Sequence, residues 1–171
     1  MDQSSSDLAV ILADEFAVWF RNLGPQGFLP RAFTGVTKDR KQAIITLNGL
    51  PFDRVQGRDF LVWLCRTEQF VAYAYASHVG IIDDSGSGYS EAVEISASSD
   101  RYDVTKTLDL EVLANNTFKT FDRDQTIVAA GPKNGIFLGM QRSTRDIPSE
   151  SQQLFRELWK DLRDQVMWRQ R

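Results

Sequence analysis

The chain has 171 residues, 42% hydrophobic and 25% charged, which suits one domain whose core needs no covalent staples. Its 20 basic and 23 acidic side chains leave a net charge of −3, which argues against the concentrated basic surface of a nucleic-acid binder. No apolar run reaches the length of a membrane helix, and "MDQSSSD" lacks the positive start and apolar stretch of a secretory signal. With one cysteine, Cys65, no internal disulfide can form, as expected in a reducing cytoplasm. The expectation is a cytoplasmic single domain over residues 1–171, with 1–5 a disordered tail.

"SDLAVILADEFAVWFRNLG" reads as a helix capped by Ser6 or Asp7, with Leu8, Leu12, Phe16, Trp19 and Leu23 at helical spacing. Gly24-Pro25 ends it. The proline- and glycine-bearing stretch "GPQGFLPRAFTGVTKDR" reads as a loop packed through Phe28, Leu29 and Phe33. "QAIITL" is a β-branched strand, and "GRDFLVWLCRTEQ" a helix with Phe60, Leu61 and Leu64 on one side.

From Phe70 the period changes to two. "FVAYAYASHVGII" puts Val71, Tyr73, Tyr75, Ser77, Val79 and Ile81 on one face, and Ala72, Ala74, Ala76, His78 and Gly80 on the other. Neither face carries an acid or a lysine, so the strand belongs in the middle of its sheet, and its alanine face lets another element approach closely. "YSEAVEISASS" and "DVTKTLDLEV" alternate likewise, the second with Asp103, Asp109 and Glu111 on a face expected to meet solvent. "TFKTF" and "TIVAA" read as strands separated by "DRDQ"; "GPKNG" reads as a tight turn and "IFLGM" as a last strand. "PSESQQLFRELWKDLRDQVMW" is a helix with Ser149 and Gln152 at capping-box spacing and an apolar stripe of Phe155, Leu158, Leu162 and Val166. The class is α+β: an antiparallel meander of about five to six strands, covered by N-terminal, middle and C-terminal helices.

Three constellations bear on chemistry. Asp83, Ser85, Ser87, Gly88 and Glu94 match the spacing of a calcium loop, but a helix–loop–helix site needs helical flanks, and both flanks here alternate as strands. The segment reads as a solvated turn. Ser77 and His78 point to opposite strand faces, so they cannot act as nucleophile and base. Cys65 sits among Phe60, Trp63 and Leu64, the company of a buried, inert thiol. No catalytic residue and no cofactor are assigned.

"FVAYAYAS" followed after a turn by "EAVEISASS" resembles a family of small uncharacterised bacterial proteins, in which a helix leads to an "AYAF"-like strand and a hairpin to an "EVL"-like strand. The resemblance covers roughly residues 57–98 and implies a bacterial or phage-related origin, with no activity attached.

The resulting expectation is a non-catalytic protein acting through self-association or a protein partner, with Ala72, Ala74, Ala76 and Trp168 as the candidate interface. The alternative is a small-ligand binder or modest hydrolase with a pocket between the sheet and the C-terminal helix. Tyr73, Tyr75 and His78 would then supply polar groups, although the tyrosines and the histidine occupy opposite faces.

Overall fold

The computed structural model describes residues 6–24, 29–82, 85–131 and 135–171, with Tyr89 and residues 122–125 described by their backbone alone. The proposed tail, Phe28, Asp83 and the centre of "GPKNG" lie outside these residues. Three helices, α1 (Leu8–Asn22), α2 (Arg54–Thr67) and α3 (Ser149–Arg163), accompany seven strands. The strands are β1 (Ala32–Thr37), β2 (Lys41–Thr46), β3 (Phe70–Ile82), β4 (Tyr89–Ser98), β5 (Tyr102–Val112), β6 (Phe118–Ala130) and β7 (Met167–Gln170). They form one antiparallel sheet curled into a half-barrel, in the order β6-β5-β4-β3-β1-β2-β7. The class is α+β as expected, with more strands than the five to six read from the sequence. The meander holds from β3 to β6. The β1–β2 hairpin then joins the sheet through β1, and β3 is the central strand.

Two buried clusters fill the two sides of the sheet. On one side α1 packs across β3, β4, β5 and β6. Asp7 caps α1 by accepting from the Ala9 N–H at 2.8 Å, and Gly24, at φ 68°, takes the left-handed conformation that follows its C-terminus. The buried stripe of α1 is Ala9, Leu12, Ala13, Phe16, Ala17 and Phe20. It is rotated from the expected Leu8–Leu12–Phe16–Trp19 line. The reason lies in the partner strand: Ala9, Ala13 and Ala17, spaced by four, share a cluster with Ala72, Ala74 and Ala76 of β3, and small side chains on both elements permit close approach. The alanine strand face is therefore covered within the chain by α1, which overturns its reading as an intermolecular interface.

On the opposite side α2 and α3 build the second cluster over Phe33, Ile45, Tyr73 and Tyr75, with Phe60, Trp63 and Phe155 in contact ring to ring and Trp159 buried beside them. Asp53 caps α2 through the Gln56 N–H at 2.8 Å. At the start of α3 the Ser149 capping box does not form: Pro148 is the cap residue, and Gln152 turns back to donate to the Ile147 carbonyl at 2.8 Å.

Four segments depart from the sequence reading, each for a tertiary reason. Gly35 lies in a strand rather than a loop, because β1 pairs with both β2 and β3; a Cβ there would lie 2.6 Å from the Phe70 ring, so the glycine makes room for a packed aromatic. "DRDQ" does not interrupt β6, since a register shift opposite Lys106 and Leu108 absorbs the irregularity and the strand continues. "IFLGM" is not a strand. Phe137 and Leu138 enter the core, a 3₁₀ turn follows at Met140–Arg142, and the Tyr73 hydroxyl holds the segment. The last helix stops at Arg163, and residues 167–170 extend as β7 along β2, closing what would otherwise be an open edge. Among the described residues no helix is long and apolar enough to cross a membrane.

The alanine contact gives the first test. Ala74→Leu inserts a branched side chain between β3 and α1, and its expected cost is roughly 1–3 kcal/mol in urea unfolding, as for other overpacked cores. An unchanged midpoint would show that α1 does not rest on this face.

Candidate functional site

Because α1 docks through its alanines over β3–β6 and meets Ala32 and Val36 of β1, the same face of β2 and β7 is left beyond its reach. A groove of about 960 Å³ opens there, between α1 and the sheet. Sheet register decides which side chains enter it. Met167 stands opposite Ile44 and Arg169 opposite Gln42, so all four share the groove face, while Trp168 and Ala43 point to the other side. Ile11, Val18 and Trp19 of α1 supply the facing apolar wall. Val18 (49% exposed), Trp19 (37%) and Met167 (64%) are large apolar side chains left open to solvent around this volume.

One end of the groove is polar, and its hydrogen bonds are tightly arranged. Gln42 is buried; its amide nitrogen donates to the Thr34 hydroxyl at 2.8 Å, and that hydroxyl donates to the Ala43 carbonyl at 2.9 Å. The Gln42 carbonyl oxygen accepts from Arg169 Nε and from Arg171 Nη1, both at 2.9 Å. Glu15 of α1 takes two bonds from Arg171, at 2.9 and 2.5 Å, and meets Arg169 Nη2 only at 3.5 Å. Asp14, on the rim, is paired with Lys106 at 2.9 Å. Hydrogen bonding from Arg171 is the main reason the Glu15 carboxyl lies below its ordinary range, and the same bonds raise Arg171. The result is a chemically simple site: an apolar trough ending in an ordered group of guanidinium, amide and carboxylate.

The side chains named from the sequence lie elsewhere. Tyr73 is fully buried on the α2/α3 side, where its hydroxyl donates to the Phe137 carbonyl at 2.6 Å and accepts from the Met140 N–H at 3.1 Å. Burial pushes its ionisation well up, and that of Tyr75, which packs 4.4 Å from Phe137, in the same direction. His78 is exposed on the opposite face, 3.4 Å from Glu91 and edge-on to Phe118. The three do not converge, and none of them lines the groove. Cys65 is buried in the α2/α3 cluster, which raises its thiol pKa and puts the sheet between it and His78. Trp168 is half-buried against Phe70 with the Arg163 guanidinium over its ring, so its large surface is already used inside the chain.

In the calcium-like segment, the Ser85 and Ser87 hydroxyls bond each other at 2.6 Å, and Glu94 lies inside β4 opposite Ser77 and Thr107. The segment joins two strands, as its flanks imply. Among the described residues no group of three His, Cys, Asp or Glu side chains is placed to hold a metal. Asp103 reverses its reading as a solvated carboxylate. It is completely buried, accepts from Ser98 Oγ at 2.6 Å and pairs with Arg142 at 2.8 Å, so it ties the turn after residue 135 to the sheet.

The depressed Glu15 carboxyl has a definite sign in acid. Its contribution to stability is fully present above the unfolded-state value of about 4.3 and disappears as pH falls through the lower folded-state value. Glu15→Gln is expected to lower stability at pH 7 by about 1 kcal/mol. The variant and the parent should then converge in denaturation midpoint as the pH is lowered into the acid range. A difference that persists in acid would mean that the ion pair is not its source. No protein-family model matches the chain, and neither does any curated protein or solved structure.

Proposed function

We propose that this is a cytoplasmic, non-catalytic binding protein that takes an elongated, mainly apolar small molecule into the groove between α1 and the β1–β2–β7 part of the sheet. The observation that carries the reading is the convergence of Val18, Trp19, Ile44 and Met167 on one volume of about 960 Å³. Apolar side chains usually reach water singly; a trough of them, with polar groups gathered at one end, has the composition of a small-molecule site. Each methylene withdrawn from water there contributes about 0.8 kcal/mol, enough for a short chain to bind measurably. Trp19 stands in the wall and reports occupancy directly. Titration with dodecanol is expected to shift tryptophan emission to shorter wavelength, with Trp19→Phe removing the signal. Val18→Asp, at an exposed position the fold tolerates, is expected to weaken binding at least tenfold. Equal affinity in Val18→Asp would exclude the groove.

A second reading, self-association, is favoured by a different part of the sheet. Edge strand β6 carries exposed Phe121 and Ile127 on the face away from α1, paired with Asp109 and Thr105 of β5. A long edge with exposed apolar side chains is a template for a second copy. If it is used, Ile127→Lys will shift the sedimentation coefficient from an oligomer to the monomer. A monomeric parent protein would rule this reading out.

A further inference from the structure

We propose that the groove selects a single-chain amphiphile with a carboxylate head, its chain lying on the apolar wall and its head on Arg169. The inference rests on the groove being the binding site, and it names the chemistry of what enters. Two cations, Arg169 and Arg171, stand against Glu15 at this end of the groove, while Asp14 on the rim meets Lys106 of β5. The pairing among them is uneven. Lys106 is matched to Asp14, and Arg171 takes both oxygens of Glu15. Arg169 is left with the excess charge: its Nε is anchored on Gln42 at 2.9 Å, while its Nη2 reaches Glu15 only at 3.5 Å. That side chain is half exposed and lines the groove.

The anchoring gives the head group its specificity. Gln42 is held by Thr34 through its amide nitrogen, so its oxygen is aimed and the guanidinium that donates to it is oriented with it. A planar guanidinium fixed at Nε presents its remaining N–H groups in the fork that fits a carboxylate. A cationic head finds no such partner, because Asp14 and Glu15 are already neutralised. A neutral head gains only the apolar wall. Seated beside Ile44 and Met167, the ion pair is partly shielded from water and correspondingly stronger than one in open solvent.

The test uses the full chain and three probes that share one tail: dodecanoate, dodecanol and dodecylammonium, each below its micelle concentration. The expected order is dodecanoate at least tenfold tighter than dodecanol, with dodecylammonium weakest. Raising the salt concentration should weaken dodecanoate alone. Arg169→Met is expected to abolish the preference for dodecanoate over dodecanol. Equal affinity for dodecanoate and dodecanol, or tightest binding of dodecylammonium, overturns the head-group assignment and leaves the groove standing. A carboxylate preference that survives in Arg169→Met overturns the role of Arg169. If none of the three binds, the groove reading itself fails. Should Arg169→Met prove unfolded by circular dichroism, the order of the three heads on the parent protein decides the matter.

Discussion

The close contact between the alanine stripe of α1 and the alanine face of β3 is the constraint from which the rest follows. Small side chains on both elements bring helix and strand together, and this proximity fixes how α1 is rotated about its axis. With Ala9, Ala13 and Ala17 turned to the sheet, Phe16 and Phe20 complete the buried stripe, while Val18 and Trp19 are carried to the flank. The helix then lies over β3 to β6, touches Ala32 and Val36 of β1, and leaves β2 and β7 at its flank. The groove is the geometric remainder of that docking: a sheet wider than one helix can cover, open on the side where the helix shows its larger residues.

The uncovered part of the sheet is held by polar contacts in place of apolar ones. β7 pairs with β2, and the side chains that this pairing brings to the groove face, Arg169 and Met167, define its two characters. Arg171 reaches back to Glu15 on α1, so helix and strand edge are joined across the groove by an ion pair and a shared glutamine. The pair is only partly buried and contributes modestly to stability. Its larger consequence is positional, since the same glutamine that receives Arg171 also orients Arg169.

On the far side of the sheet a second polar network solves a different problem. Residues 135–142 make no strand, and their backbone groups need partners in a buried setting. Tyr73, Ser98, Asp103 and Arg142 supply them: the tyrosine hydroxyl serves Phe137 and Met140, Ser98 accepts from the Gly139 N–H, and Arg142 bridges Asp103 and the Ser99 carbonyl. This accounts for a tyrosine that looks available from the strand pattern and yet is fully committed, and for an aspartate on a nominally polar face that sees no solvent.

What the amino-acid order determined by itself is local. The change of period at Phe70, the two uncharged faces of β3, the cap at Asp7 and the strand-like flanks of the calcium-like loop all express short-range stereochemistry and periodicity, and these are visible in a linear string. The tertiary structure decided everything that depends on which surfaces meet. Residues 32–37 are a strand because β2 and β3 pair with them on both sides, with Gly35 leaving room for Phe70; residues 167–170 are a strand because β2 offers an edge; the alanine face is core because α1 carries its own alanines. The groove belongs to this second kind. Glu15, Gln42 and Arg169 are far apart in sequence and ordinary in local context, and only the docking of α1 and the register of β7 on β2 bring a carboxylate, an amide and a guanidinium to one end of an apolar trough. Such convergence arises from long-range packing, and no local pattern encodes it.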